Sequence, residues 1–205
     1  EGFPDDNRIA SSVFDNRNNL YFVDSNSLTP IKRLSSNGNI QKFEAEDGFL
    51  TPTRTNTGKL AIDRNGLLFI STLKDGIIVF NTTTNDSSNI TSNVPGVDFP
   101  DVFNVNPVIT AFEVDQNSRL WIGTDEGLRV LSNPSAVFNS NQTLNLSPII
   151  IEDVDGLPQE LLFEQFITDI QADGANNKWI STADSGVFQV SANGREILNI
   201  FNEEN

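Results

Sequence analysis

The 205-residue chain has no cysteine, no histidine and no methionine. Without cysteine there is no disulfide, no thiol nucleophile and no zinc–thiolate site. Without histidine the commonest general base is missing, and with it the Ser-His-Asp triad and the imidazole metal site. Basic residues are scarce: 13 Lys and Arg stand against 28 Asp and Glu, a net charge of −15. Phosphate recognition needs Lys and Arg, so no nucleic-acid partner is expected. No apolar run reaches the roughly 18 residues a membrane span requires. Helical periodicity is lacking too, since no window keeps 3.6-residue apolar spacing beyond a turn or two. The chain starts at Glu1 without Met or signal peptide, and is expected to be a piece excised from a longer multidomain protein.

What is present is a repeat. Residues 112–131 read FEVDQNSRLWIGTDEGLRVL. Three apolar runs, rich in aromatic and β-branched residues, are separated by two Asx/Gly turns, the signature of a three-stranded meander. The same pattern returns at residues 10–24, 59–80 and 167–190, with Asp15, Asp63, Asp115 and Asp173 as register marks about 50 residues apart. A period of that length with four strands per unit points to β-propeller blades. One four-stranded sheet cannot hide both faces, and stacking sheets around an axis does so. The expected fold is all-β: a single propeller segment over residues 1–205, an arc of a larger ring. Its four-stranded blades fall at approximately 9–44, 57–92, 108–154 and 166–201. Residues 1–8 read as a lead-in, 45–56 as a polar connection and 93–107 as a rim loop. Pro148–Val154 is expected as the outer strand of the third blade, and Gln159–Phe166 as a short helix.

The equivalent second strands carry Tyr21, Phe69, Trp121 and Trp179, which are expected to be buried between blades. Gly76, Gly127 and Gly186 close the following turn. The four recurring aspartates sit at hairpins, where Asp side chains bond nearby backbone N–H groups. That accounts for them better than catalysis, although a carboxylate pair about 5–10 Å apart would serve glycoside hydrolysis. The acidic groups Asp5-Asp6, Glu44/Glu46/Asp47 and Glu152/Asp153/Asp155 lack EF-hand spacing and read as solvated faces rather than calcium sites. No catalytic, cofactor-binding or metal-ligating residue is expected.

RLWIGTDEGL at 119–128 and KWISTADSGV at 178–187 resemble the two-component-regulator propeller repeat of Bacteroidetes. A narrower resemblance covers residues 148–205. DGANNKW at 173–179 and SGVFQVSANG at 185–194 are similar to PorZ-like proteins of the type IX secretion system. The resemblance implies a non-catalytic propeller at the cell surface, associated with the outer membrane. It also implies protein partners in a complex whose sortase attaches anionic lipopolysaccharide to secreted cargo. Two other readings stand beside it: a periplasmic ligand-sensing propeller of a hybrid two-component regulator, and a propeller carbohydrate-active enzyme. The acidic charge balance argues against direct binding of anionic lipopolysaccharide and for an acidic surface offered to proteins. Exposed blade faces would favour self-association.

Overall fold

The computed structural model describes residues 9–24, 27–43, 57–72, 76–90, 109–139, 144, 146–152 and 155–203. The 1–8 lead-in, the 45–56 connection and the 93–107 loop lie outside these residues. The first sheet runs β1 (Ile9–Phe14), β2 (Leu20–Asp24), β3 (Ile31–Leu34) and β4 (Ile40–Phe43). The second runs β5 (Thr57–Ile62), β6 (Leu67–Thr72), β7 (Ile77–Asn81) and β8 (Ser87–Ile90). The third comprises β9 (Ile109–Val114), β10 (Leu120–Thr124), β11 (Gly127–Leu131) and β12 (Leu146–Ser147). A two-stranded hairpin follows, β13 (Ile150–Glu152) with β14 (Pro158–Glu160). The fourth sheet is β15 (Ile167–Ala172), β16 (Lys178–Thr182), β17 (Val187–Val190) and β18 (Ile197–Phe201). Each four-stranded sheet is antiparallel with its strands in chain order. One 3-10 turn spans Pro134–Phe138, and there is no α-helix among the described residues. The fold is all-β, made of propeller-type blades.

The chain divides into two compact units, residues 1–94 with 135–142 and residues 95–134 with 143–205. In the first, Tyr21, Val23, Ile31 and Phe43 of blade one pack with Leu60, Leu68, Ile70, Ile78 and Phe80 of blade two. Phe43 meets Phe80 edge to face, with ring centroids 5.4 Å apart. In the second, Ala111, Trp121, Leu128 and Val130 of blade three pack with Ile167, Ile170, Ile180 and Val190 of blade four. Gly123 sits so close to Ile167 that a Cβ there would overlap its side chain. Crowding therefore accounts for the small residue at that strand end.

Two expectations fail, one about the outer strand of the third blade and one about the lead-in to the fourth. The third blade's outer strand is Leu146–Ser147, paired with Val130 and Leu131 of β11, and not Pro148–Val154. Ile150–Glu152 instead folds back on Pro158–Glu160, with Gly156 at φ 76° in the connection. The expected helix at 159–166 is β14 followed by a turn in which Leu162 and Glu164 both have φ 57°. That turn lets the consecutive Leu161 and Leu162 both enter the core, and Leu161 N–H donates to the Ile149 carbonyl at 2.8 Å. A continuous apolar run such as PIII does not say which partner it will pair with.

Candidate functional site

The turns between the first and second strands share one geometry. Asp15 Oδ1 accepts the N–H groups of Arg17 (2.9 Å) and Asn19 (2.8 Å). Asp63 Oδ1 accepts those of Asn65 (2.9 Å) and Leu67 (2.8 Å). Asp115 Oδ1 takes Asn117 (2.8 Å) and Arg119 (3.0 Å), and Asp173 Oδ1 takes Ala175 (2.9 Å) and Asn177 (2.8 Å). The residue three past each Asp is left-handed: Asn18 at φ 59°, Gly66 at 85°, Ser118 at 57° and Asn176 at 65°. Asn and Gly tolerate that conformation best, which is why these turns are rich in them. Burial by itself would push the carboxyls up. The bonds converging on Asp15, Asp115 and Asp173 outweigh it and hold all three below the ordinary carboxylate value, Asp115 at about 2.

The second turns are clasped differently. Thr72, Thr124 and Thr182 donate their hydroxyls to the carbonyls of Gly76 (3.0 Å), Gly127 (2.9 Å) and Gly186 (3.0 Å). The three glycines have φ of 71°, 135° and 84°. The threonine is therefore a hydrogen-bond donor as well as a small residue, and the recurring S/G-T before each glycine carries that signal.

Asp115 does more than hold its turn. Its Oδ2 accepts Trp121 Nε1 at 3.0 Å and Arg119 Nε at 2.8 Å, and Lys178 Nζ of blade four lies 3.1 Å away. Lys178 is fully buried, sits 4.5 Å over the Trp121 ring, and donates to the carbonyls of Asn176 (2.7 Å) and Ala192 (2.9 Å). Arg119 Nη2 also reaches the Ala192 carbonyl, at 2.6 Å. Burial lowers the Lys178 pKa, and the attraction of Asp115 opposes that shift. Every partner is satisfied, so the cluster latches blade four to blade three. Gln116 adds bonds to Asn176 Oδ1 (3.0 Å) and to the carbonyls of Asp173 (3.2 Å) and Gly174 (3.1 Å). Sequence reasoning missed Lys178. The signal was a lysine at a strand position where the other repeats have Leu20, Leu68 and Leu120.

Of the second-strand aromatics, Tyr21, Phe69 and Trp121 are buried. Trp179 is not: it is 36% exposed. It keeps the register of Trp121, with Nε1 3.3 Å from Asp173 Oδ2, and stacks on Phe201 with centroids 5.7 Å apart and planes 17° from parallel. The expectation that it is buried between blades is corrected. On its face of the sheet no described element covers it.

Of the acidic groups, Asp5-Asp6, Glu44/Glu46/Asp47 and Asp153 lie outside the described residues. Glu152 and Asp155 flank the end of β13. No group of three or more potential ligands is arranged to hold a metal among the described residues, and no described helix is long and apolar enough to cross a membrane.

Residues 103–126 match the family model of the two component regulator propeller. Histidine kinase P4 of Formosa agariphila is 30% identical over 90 residues, 44% of this chain and 6% of that protein. Among solved structures, PorZ is 23% identical with a TM-score of 0.75, over 99% of this chain and 28% of its own. PorZ is an essential bacterial surface component of the type-IX secretion system of Porphyromonas gingivalis. The extracellular domain of a proposed hybrid two component system from B. thetaiotaomicron is 23% identical with a TM-score of 0.51, over 87% of this chain and 21% of its own. A catalytically inactive histidine-to-alanine variant of virginiamycin B lyase from Staphylococcus aureus is 11% identical with a TM-score of 0.57, over 100% of this chain and 59% of its own. The chain spans about a quarter of PorZ and a far smaller part of the kinase. It thus carries a two-component-regulator propeller repeat and has the β-propeller fold seen in PorZ and in the extracellular domains of such regulators.

Proposed function

We propose that the chain is a non-catalytic propeller scaffold, one segment of a larger ring within a PorZ-like cell-surface component of the type IX secretion system. Its task is to bind protein partners, the sortase-like component among them, during cargo attachment. The observation that carries this reading is the likeness to PorZ, with a TM-score of 0.75 over 99% of this chain. A candidate contact is the Trp179 face of blade four, which no described element covers: Trp179 stacks on Phe201 there, with Gln189 and Asn199 in register beside it. On the covered face of blade three the positions equivalent to Gln189 and Ser181 are Val130 and Gly123, in or beside the apolar core. Polar residues around an aromatic anchor suit a wet interface with a separate protein. A catalytic reading gains little support. The recurring carboxylates are engaged by their own turns, and the chain lacks the residue type whose replacement inactivates the matched lyase.

The test is interferometry of the chain against the sortase component of the same secretion system. Binding that falls about tenfold or more in Trp179→Ala, with an unchanged circular-dichroism spectrum, supports the scaffold role. Equal binding by wild type and variant, or none by either, overturns it. Self-association through the same face would show as a dimer in sedimentation that the variant loses.

A second reading, a periplasmic sensor propeller of a hybrid two-component regulator, is favoured by the kinase match and the extracellular-domain match. The complete coding sequence separates the two. A sensor continues into a membrane helix and a kinase, whereas a secretion component continues without either.

A further inference from the structure

The place beside the turn aspartate, filled by Lys178, Arg119 and Trp121 between blades three and four, has a counterpart between blades one and two. There Tyr21 stands at the register of Trp121, and Leu68 at that of Lys178. An apolar leucine cannot supply the ammonium that closes the other site. What remains is a cavity of about 120 Å³, lined by Arg17, Arg33, Arg64, Tyr21, Thr82 and Thr83 together with the two turns. Three of the chain's 13 basic residues converge on it, although the chain carries a net charge of −15. The carboxylates nearby, Asp15 and Asp63, are committed: each Oδ1 accepts two turn N–H groups and each Oδ2 an amide from Asn19 or Asn65.

The arginines are not committed in the same way. Among the described residues neither the Arg17 nor the Arg64 guanidinium closes a salt bridge, although Arg17 attracts the Asp15 carboxylate and helps hold its pKa low. Arg33 donates through Nη2 to Gln41 Oε1 at 2.5 Å and lies 5.9 Å over the Phe43 ring, but its Nε is buried and has no hydrogen-bond partner. A buried donor without an acceptor is costly, and it leaves the Arg33 guanidinium incompletely satisfied by protein groups. A guanidinium offers parallel N–H bonds in a fork that matches a carboxylate, phosphate or sulfate. The polar lining excludes an apolar ligand.

We propose that this cavity between blades one and two binds a small oxyanion, the carboxylate, phosphate or sulfate group of a hydrophilic molecule, held by Arg33 with Arg17 and Arg64. The threonine hydroxyls and the Tyr21 phenol supply further polar contacts.

Isothermal titration with citrate, inorganic phosphate and sulfate at low and at physiological salt tests this, the citrate arm reporting a planar carboxylate and the other two a tetrahedral oxyanion. Saturable binding to wild type is expected. Arg33→Gln should weaken it roughly tenfold or more, as befits loss of a charged hydrogen-bond donor. Arg33→Lys, which keeps the charge and loses the fork, should rescue it only in part. Arg64→Gln should also weaken it, and Arg195→Gln, which does not line the cavity, should not. If Arg33→Gln does not fold, Arg64→Gln decides the matter. No saturable binding, or equal binding by wild type and the cavity variant, overturns the proposal.

Discussion

Trp121 and Trp179 occupy the same position in two consecutive blades, six residues after a turn aspartate whose Oδ2 accepts their indole N–H. One is fully buried under the next blade and the other is 36% exposed. Their local structure is the same and their neighbours differ. Blade four covers Trp121 with Ile167, Ile170, Ile180 and Val190, and latches it with Lys178. Among the described residues Trp179 has Phe201 as its ring partner. A repeat motif thus fixes the turn, the strand register and the direction of the ring, while burial belongs to whatever stands beside it.

The comparison can be broken by cutting the same atoms in both places. Trp121→Ala should lose about 3–5 kcal/mol, the cost of an unrelaxed core cavity plus the lost transfer energy, read as a fall in the midpoint of urea unfolding. An effect as small as that at Trp179 would mean that the two blades do not pack as described.

Acid titration sharpens it next. The folded Asp115 carboxyl titrates at about 2 against an ordinary 3.8. The folded chain therefore binds fewer protons than the unfolded chain in that range. Its contribution, about 2 kcal/mol, is fully present above pH 4 and is lost as the pH falls through 2. Asp115→Asn should lower stability at neutral pH by that order and flatten the acid limb of the stability profile. The same change at the exposed Asp173, also held low, should flatten it less. Equal acid limbs in the two variants would show that burial beside Lys178 adds nothing to the turn.

The smallest effect belongs to Trp179→Ala. With an exposed stacking partner and one long hydrogen bond to Asp173 to lose, it should cost about 1 kcal/mol by thermal unfolding. A loss matching that of Trp121 would place a covering element over that face.

The turns, strands and repeat length were legible in the residues because each depends on groups within a few positions of one another. Asp115 bonds N–H groups two and four residues ahead, and Gly127 answers a threonine three residues back. Short-range hydrogen bonds leave short-range patterns, and alternation in strands does likewise. The pairing of Ile150–Glu152 was not legible, because a run of isoleucines fits any open edge equally well. Nor was the latch, where Lys178 reaches an aspartate 63 positions earlier, nor the cavity, where Arg17, Arg33 and Arg64 come from separate turns and strands. Which side chains a fold brings together depends on how sheets stack, and that energy is shared among residues far apart in the chain. The sequence by itself determined that this protein is built of propeller blades. Only the tertiary structure decided which of its equivalent positions became core, latch, cavity or open surface.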